Sequence, residues 1–379
     1  EIEFSDWSSD VCSSDLFPVM SNQLELLSQV TKVVADTGDF ESIRAFQPVD
    51  ATTNPSLVLK AAQKPEYSHI VDAAVKYAKE HEKEDKKKMM TILVDKLSVL
   101  FGKAILDVVP GLVSTEVDAR LSFDAEKMIE KARTLIKMYE EEGISKDRIL
   151  IKIASTWEGM EAARVLEAEG IHCNLTLMFS FCQAVAAAQV KATLISPFVG
   201  RIRDWYMKKE GRTEAYPVME DPGVKSVRRI YGYYKKNGVK TVVMGASFRS
   251  VGEVLGLAGC DKLTIAPNLL QQLKDCAEPL PFEVMSAESC ACEESYMELD
   301  EPTFRWMLNE DAMATDLLSD GIRRFAADTE KLEKILMEKL WVVCYIQYCN
   351  TNKQGNVPFQ QEITLIHGKC TASWRGRCF

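Results

Sequence analysis

Short apolar runs alternate with longer amphipathic stretches through most of this sequence. The runs are rich in β-branched residues and include VVAD, ILIKIAS, NLTLMF, TLISP, TVVMG and KLTIAP, a composition typical of strands. Between the runs, apolar residues recur at helical spacing, and several such stretches end at a glycine, such as Gly143, Gly170 or Gly238. The alternation occurs at least eight times, which predicts an α/β protein with a single (β/α)8 barrel and extra helices.

The spacing of polar residues inside these runs fits the same architecture. Thr176 follows Lys152 by 24 residues, and Ser196 follows Thr176 by 20 residues. Each interval has room for the helical crossover that joins two parallel strands. The three residues are therefore predicted to mark successive strand–helix units.

The periodicity also predicts approximate bounds for several segments. It indicates helices over residues 67–88, 91–107 and 124–142, and a third strand over residues 113–121. Residues 277–302 are acidic and lack a regular pattern, which predicts a loop before a strongly helical stretch.

Both ends of the chain depart from this pattern. Residues 1–19 hold five acidic and no basic residues, and they have neither the basic start nor the apolar centre of a secretory signal peptide. After Leu340 the composition changes, and residues 341–379 hold four of the eleven cysteines. The sequence therefore predicts an unstructured leader over 1–19, a barrel domain over 20–340 and a divergent, disordered tail over 341–379.

Composition excludes several classes of protein. The net charge is −10, with 46% hydrophobic and 27% charged residues, which is typical of a globular protein and argues against nucleic-acid binding through a basic surface. No apolar run approaches the roughly 20 residues that span a bilayer, so no membrane association is expected. The four histidines are dispersed and no CxxC pair occurs, so neither a metal site nor a cofactor is predicted, and the thiols favour a reducing, cytoplasmic location.

Lys152 lies inside the apolar run RILIKIAST, which predicts a parallel strand buried on both faces. Lysine is almost never fully buried without a partner. A desolvated ammonium loses its proton more readily, and the neutral amine is a nucleophile that can form a Schiff base. A lysine at a strand end can instead extend its charge into water, and the run alone does not decide between these two roles.

Other polar residues occur at or near the carboxyl ends of the predicted strands, where barrel enzymes form their active sites. Glu116 can manage the protons of imine chemistry or form a structural ion pair with Lys152. Asp36 is either a second functional carboxylate or a turn residue that binds backbone amides. The remaining candidates can bind sugar hydroxyls or phosphate. Alternatively, they can stabilise strand ends, turns, the core or the surface. They are Asn54, Asn174, Thr176, Ser196, Phe198, Arg201, Ser247 and Arg249.

Nine motifs resemble the class I transaldolases of the pentose phosphate pathway. They are VVADTGD, DATTNPSL, STEVDARLS, RILIKIASTWEG, NLTLMFSF, LISPFVGRIRDWY, EDPGV, VVMGASFR and AGCDKLTIAP, in unbroken order from about Leu24 to Leu340. The resemblance implies a barrel enzyme that transfers a dihydroxyacetone unit through a Schiff base. It implies sedoheptulose 7-phosphate or fructose 6-phosphate as donor, glyceraldehyde 3-phosphate or erythrose 4-phosphate as acceptor, and a cytoplasmic enzyme that forms a homodimer.

The resemblance also implies a role for each candidate. Lys152 matches the imine-forming lysine, Glu116 the acid/base that acts through a water held by Thr176, and Asp36 the residue that handles the hydroxyl proton in carbon–carbon cleavage. Substrate hydroxyls and phosphate would be bound by Asn54, Asn174, Ser196, Phe198, Arg201, Ser247 and Arg249. The leader, the tail and the cysteine-bearing segment 277–302 do not match the family pattern.

Two other functions would use the same features. A Schiff-base aldolase would release dihydroxyacetone to water, and the rate of transfer to erythrose 4-phosphate would distinguish it from a transaldolase. A non-catalytic barrel protein would bind metabolites without chemistry, and it would have no need of Lys152 and Glu116, both of which are present.

Overall fold

The computed structural model describes residues 21–352, 365–366 and 369–370, and for residues after Leu340 it describes only the backbone. The predicted leader lies outside the described residues, as does most of the predicted tail. The limits proposed for the leader, the barrel domain and the tail therefore stay a prediction. No helix in the described part of the chain is long and apolar enough to cross a membrane.

Eight parallel strands form a closed barrel in which neighbours in the chain are neighbours in the sheet. They are β1 (Lys32–Asp36), β2 (Asp50–Thr52), β3 (Val113–Glu116), β4 (Ile149–Ala154), β5 (Cys173–Met178), β6 (Leu194–Pro197), β7 (Val242–Gly245) and β8 (Lys262–Ile265). Pairing of β1 with β8 closes the cylinder, so the predicted (β/α)8 class is confirmed.

Helices connect the strands, precede the first strand and follow the last. They are α1 (Gln23–Val30), α2 (Phe40–Phe46), α3 (Pro55–Ala62), α4 (Ser68–His81), α5 (Lys86–Leu106), α6 (Ala125–Glu141), α7 (Trp157–Ala168), α8 (Phe181–Gln189), α9 (Val199–Glu210), α10 (Pro222–Lys236), α11 (Val251–Leu255), α12 (Pro267–Lys274), α13 (Glu301–Glu310) and α14 (Ala312–Asn352). The helices beyond those needed for the seven connections between strands confirm the prediction of extra helices.

The chain divides into two compact units, residues 1–333 and 334–379. The barrel belongs to the first unit. The second unit includes the end of α14, which continues past Leu340 without a break, and an antiparallel pair of short strands, β9 (Leu365–Ile366) and β10 (Lys369–Cys370).

Strand alternation determines which side chains enter the barrel. Ile151 and Ile153 of β4 pack in the main core, which contains strand and helix side chains. Leu150 packs instead in a separate cluster. That cluster is formed by one side chain from each of four strands, Val34, Leu150, Leu194 and Met244. Since successive side chains of a strand point to opposite faces, Lys152 shares the orientation of Leu150 and also enters the barrel.

Two predicted bounds are wrong, and in both cases side-chain oxygens that bind the backbone explain the difference. The predicted helix over 67–88 is interrupted because Glu82 accepts hydrogen bonds from three successive backbone amides that follow it. Asp85 then caps the start of α5 at the amides of Lys87 and Lys88. The predicted third strand over 113–121 ends at Glu116, after which Asp118 caps a 3₁₀ turn over Ala119–Leu121.

Other predicted bounds are confirmed. The helix predicted over 124–142 corresponds to α6, and Gly143 follows its end with a φ of 78°, a conformation that glycine adopts without strain. Residues 277–302 contain no helix or strand until α13 begins at Glu301. This confirms that most of the acidic segment is a loop.

Candidate active site

A lysine and a glutamate from adjacent strands form the centre of the site. Glu116, the last residue of β3, lies opposite Lys152 of β4 in the sheet register. The Lys152 Nζ is 3.1 Å from the Glu116 Oε2, and the two side chains are only 6% and 4% exposed. The ammonium also donates a hydrogen bond of 3.2 Å to the Thr53 carbonyl. Lys152 therefore does not extend its charge into water, which excludes one of the two roles that the sequence left open.

Burial changes the proton affinity of the glutamate. The pKa of the Glu116 carboxyl is raised because the protein interior desolvates its charged form, and the nearby Lys152 and Arg201 oppose that rise. A carboxyl with a raised pKa next to an amine can accept and return a proton. Such a pair can support the repeated proton transfers of imine chemistry.

Two buried side-chain oxygens, one from Glu116 and one from Thr176, retain hydrogen-bonding capacity. Apart from its ion pair with Lys152, the Glu116 Oε2 makes no hydrogen bond within the described residues, and the Thr176 Oγ1 of β5 makes none. A buried oxygen without a hydrogen bond destabilises a fold by about 1–3 kcal/mol. Both atoms can bind a small hydroxyl-bearing molecule such as water.

A second carboxylate, Asp36, ends β1 and faces the same interior. Its pKa is raised by burial, against the influence of Lys152 and a hydrogen bond from Thr52. The Thr52 Oγ1 lies 3.2 Å from the Asp36 Oδ1 and 2.9 Å from the Thr264 Oγ1. Asp36 thus contacts a strand threonine instead of the amides of its own turn, and it is available to a molecule in the barrel mouth.

These side chains surround an open cavity at the carboxyl ends of the strands. Seven candidates from the sequence line it: Asp36, Asn54, Lys152, Ser196, Phe198, Arg201 and Ser247. The other four candidates, Glu116, Asn174, Thr176 and Arg249, are not among its lining residues. A molecule that enters the cavity meets Lys152 as the amine among the described residues that line it.

Sequence analysis missed five lining residues: Thr52, Met244, Ala246, Thr264 and Phe325. Thr52 is the last residue of β2, and Thr264 is the second-last residue of β8. Alternation along the predicted strand KLTIAP could have found Thr264, because successive side chains point to opposite faces. Phe325 lies on α14, whose amphipathic pattern is equally typical of a core residue, so no local signal distinguishes it.

The amide candidates combine structural and functional contacts. Asn174 is fully buried; its Nδ2 donates to the Ser114 Oγ at 3.0 Å and its Oδ1 accepts from the Ser196 Oγ at 2.6 Å. The Asn54 Oδ1 accepts from the Leu57 amide and so caps α3. Asn54 nevertheless lines the cavity, and its NH₂ group is the donor that a substrate hydroxyl can reach.

Two arginines supply positive charge at one side of the cavity. Arg201 stacks on Phe198, with its guanidinium carbon 5.0 Å from the ring centroid, and makes no hydrogen bond or ion pair within the described residues. Burial lowers its pKa, and the neighbouring Arg249 adds to that effect. The Arg249 Nη1 donates to the Ser247 Oγ at 3.3 Å, so both guanidinium groups approach the same hydroxyl-bearing edge.

Ser247 itself has a φ of 61°, a left-handed conformation that is uncommon for residues other than glycine. Such backbone strain persists only where surrounding contacts impose it, and it occurs often at functional sites. Ser247 and Arg201 line a polar, cationic side of the cavity, and Arg249 is hydrogen-bonded to Ser247. This arrangement suits a phosphate group.

Comparison with known proteins gives a consistent result. Residues 33–336 match the family model described as transaldolase/fructose-6-phosphate aldolase. The chain is 58% identical to the transaldolase of Alteromonas mediterranea over 85% of this chain and 99% of that protein. It is 58% identical to the transaldolase of Pseudoalteromonas atlantica over 84% and 99%, and 55% identical to that of Homo sapiens over 85% and 95%.

Proposed function

Since this chain belongs to the transaldolase/fructose-6-phosphate aldolase family and has the Schiff-base activity of a transaldolase, we propose that Lys152 is the lysine that forms the Schiff base. The observation that carries the proposal is the position of its amine. Lys152 is the one amine among the residues lining the cavity, and its Nζ lies 3.1 Å from a carboxylate that can take its proton. Attack on the carbonyl carbon of a ketose needs the neutral amine.

Glu116 serves as the acid/base of imine formation in this proposal. The amine attacks the substrate carbonyl, the carbinolamine loses water, and a proton must move at each stage. Glu116 acts through a water that also binds the Thr176 hydroxyl. The free hydrogen-bonding capacity of the Glu116 Oε2 and the Thr176 Oγ1 supports this role.

Asp36 handles the proton of carbon–carbon cleavage. It accepts the proton of the substrate hydroxyl next to the bond that breaks, while the bonding electrons move toward the iminium nitrogen. The aldose phosphate leaves, and the three-carbon enamine waits on the lysine for the acceptor aldehyde. Asp36 lines the cavity and burial raises its pKa, which makes its carboxylate a stronger base.

The remaining residues bind the two ends of the substrate. Asn54, Asn174 and Ser196 hold the hydroxyls of the dihydroxyacetone unit. The phosphate lies against Arg201, Ser247 and Arg249, and Phe198 forms the adjoining wall. The cationic end of the cavity lies beside Ser247, and a guanidinium group provides the paired donors that phosphate oxygens bind.

The proposal extends to the substrates and the assembly. Sedoheptulose 7-phosphate and fructose 6-phosphate are the proposed donors, and erythrose 4-phosphate and glyceraldehyde 3-phosphate the proposed acceptors. The enzyme is proposed to be a cytoplasmic homodimer, in keeping with its resemblance to the family. Sedimentation equilibrium tests the assembly, because a single species of monomer mass would contradict it.

Borohydride trapping tests the central assignment. The enzyme is incubated with fructose 6-phosphate and borohydride, digested, and analysed by mass spectrometry. A reduced dihydroxyacetone adduct on the peptide containing Lys152 is expected. An adduct on another lysine would contradict the assignment, and samples without sugar phosphate or without borohydride serve as controls.

A further inference from the structure

We propose that Asp204 sets the affinity of this enzyme for phosphorylated substrates by competing with the substrate phosphate for Arg249. Asp204 belongs to none of the candidate residues described above. The inference rests on the proposed phosphate site at Arg201, Ser247 and Arg249. It assigns different roles to the two arginines of that site.

The two arginines differ in their partners. The Arg249 Nε donates to the Asp204 Oδ2 at 2.8 Å, so the two side chains form a hydrogen-bonded ion pair. Arg201 lies three residues before Asp204 on the same helix, α9, and has no ion-pair partner within the described residues. Arg201 therefore presents to the cavity a guanidinium group without a direct ion pair, whereas the charge of Arg249 is already partly neutralised.

The donors of Arg249 explain why the carboxylate competes with phosphate. Its Nε is occupied by Asp204, and its Nη1 donates to the carbonyl and hydroxyl oxygens of Ser247, both at 3.3 Å. A guanidinium group binds phosphate best through two parallel N–H donors. Two-point binding through the edge that contains Nε requires that the Asp204 carboxylate leave that edge.

Exposure indicates that this exchange is easy. The side chains of Arg249 and Asp204 are 37% and 46% exposed, and ion pairs in such positions contribute little to stability because water screens them. A substrate phosphate carries close to two negative charges, whereas the carboxylate carries one. The phosphate can therefore displace Asp204 from Arg249, but the displacement reduces the net affinity.

The backbone of Arg249 is held by residues other than Asp204, although Asp204 is linked to them through Arg203, whose Nη2 lies 3.5 Å from the Asp204 Oδ1. Its amide donates to the Glu253 Oε2 at 2.6 Å, and the other oxygen of Glu253 pairs with the Arg203 Nη1 at 2.9 Å. Gly200 packs so closely that an added Cβ would lie 2.6 Å from the Arg249 Cγ. Substitution of Asp204 should thus release the guanidinium group without releasing the loop.

Weaker phosphate binding suits an enzyme that must release a phosphorylated product in each cycle. The donor ketose and the departing aldose both carry the phosphate, so stronger binding of that group stabilises both and does not by itself speed the chemical step. A competing carboxylate lowers the affinity for both. Asp204 would in this way favour product release over retention.

The test is the inhibition constant of inorganic phosphate against fructose 6-phosphate in four proteins: the unmodified enzyme, Asp204→Asn, Arg249→Ala and the double variant. Asp204→Asn is expected to lower the inhibition constant by about two- to fivefold, the range of an exposed ion pair. In the Arg249→Ala background, the same substitution should leave the constant unchanged. The KM for unphosphorylated fructose should not respond to Asp204→Asn.

A matched control removes a remote charge of the same kind. Glu169 pairs with Arg133, and their side chains are 35% and 51% exposed. Glu169→Gln changes the net charge by the same amount as Asp204→Asn, and it should leave phosphate inhibition unchanged. Thermal midpoints of all variants confirm that each protein is folded under assay conditions.

The outcomes separate this inference from the proposed function. A higher inhibition constant for Asp204→Asn would mean that Asp204 positions Arg249 for phosphate. An equal effect of Asp204→Asn in the Arg249→Ala background would mean that Asp204 acts only through its charge and not through Arg249. Either result would overturn this inference and leave the proposed function intact. If Arg249→Ala itself leaves phosphate inhibition unchanged, the proposed phosphate site is wrong and the inference falls with it.

Discussion

The described part of the barrel interior contains two buried pairs of a lysine with a carboxylate, and we propose a different role for each. Lys152 pairs with Glu116 near the carboxyl ends of β4 and β3, and Lys262 pairs with Asp50 at the first residues of β8 and β2. All four side chains are at most 11% exposed. Burial and charge pairing are thus common to both ends of the barrel and do not identify the active site.

The two pairs differ in the hydrogen-bonding capacity that their carboxylates retain after pairing. One oxygen of Asp50 pairs with Lys262 and the other accepts a hydrogen bond of 2.7 Å from the Leu112 amide. Among the residues that the structure describes, in contrast, the Glu116 Oε2 makes no hydrogen bond beyond its ion pair, and Lys152 lines the open cavity. A closed pair can tie strands together, whereas an open pair can exchange protons with a substrate.

Lys152→Arg is expected to have the largest effect, because it removes the proposed nucleophile from the pair near the carboxyl ends of the strands. A guanidinium group stays protonated and cannot form an imine, so turnover should be abolished although the ion pair with Glu116 can persist. The measurement is transfer from fructose 6-phosphate to erythrose 4-phosphate. Lys262→Arg is the control and should keep its turnover per folded molecule; near-normal transfer by Lys152→Arg would contradict the Schiff-base assignment.

Glu116→Gln should produce the next largest effect. The amide keeps the size of the side chain but cannot accept a proton, so imine formation is expected to slow by roughly 10²–10⁴-fold. Stopped-flow mixing with fructose 6-phosphate measures that step directly. An unchanged rate would remove Glu116 from the mechanism and would make its pair with Lys152 as structural as the pair at the other end.

Lys262→Met tests whether the Lys262–Asp50 pair stabilises the fold. The substitution leaves the Asp50 carboxylate buried without its cation, and loss of one partner from a buried pair destabilises a fold by about 3–5 kcal/mol. Unfolding in urea should show this loss, while activity per folded molecule stays the same. Addition of Asp50→Asn should restore part of the stability; no recovery would show that the pair is not the source of the loss.

Sequence analysis predicted the barrel correctly because the strand pattern repeats many times. The candidate residues also share a feature that strand alternation explains: in β4 and β5, Lys152, Asn174 and Thr176 lie at positions of the same parity as the interior residue Leu150. A polar residue at such a position near the carboxyl end of a strand enters the barrel mouth. This part of the site follows from local pattern and topology.

The sequence does not distinguish Lys262 from Lys152 on pattern alone. KLTIAP and ILIKIAS both place a lysine in an apolar run, and only the register shows that Lys262 begins its strand whereas Lys152 approaches the end of its own. Contacts between distant segments are equally invisible, as with Phe325 of α14 at the cavity. Ion pairs such as Arg249 with Asp204 also depend on side-chain directions that no spacing encodes.

Asp36→Asn and Asp50→Asn should change stability in opposite directions at neutral pH, and the change for Asp36→Asn is the smallest of the expected effects. Burial raises the folded-state pKa of Asp36 above its ordinary value of 3.8, so the ionised carboxylate destabilises the folded state. Asparagine has no such charge and should stabilise the fold. Asp50→Asn instead leaves the Lys262 ammonium buried without its anion and should destabilise it.

The sign of the pH dependence follows from the Asp36 pKa. Between pH 3.8 and the raised pKa, the folded state binds more protons at Asp36 than the unfolded chain does, so this carboxyl lowers the free energy of unfolding as pH rises through that window. The advantage of Asp36→Asn should therefore be largest above the raised pKa and should vanish below pH 3.8. Urea unfolding of the parent and variant across that range measures the difference. If the difference in unfolding free energy between parent and variant were constant or reversed with pH, the Asp36 carboxylate would not be destabilised by its burial. The proposed contrast between the two ends of the barrel would then not extend to Asp36.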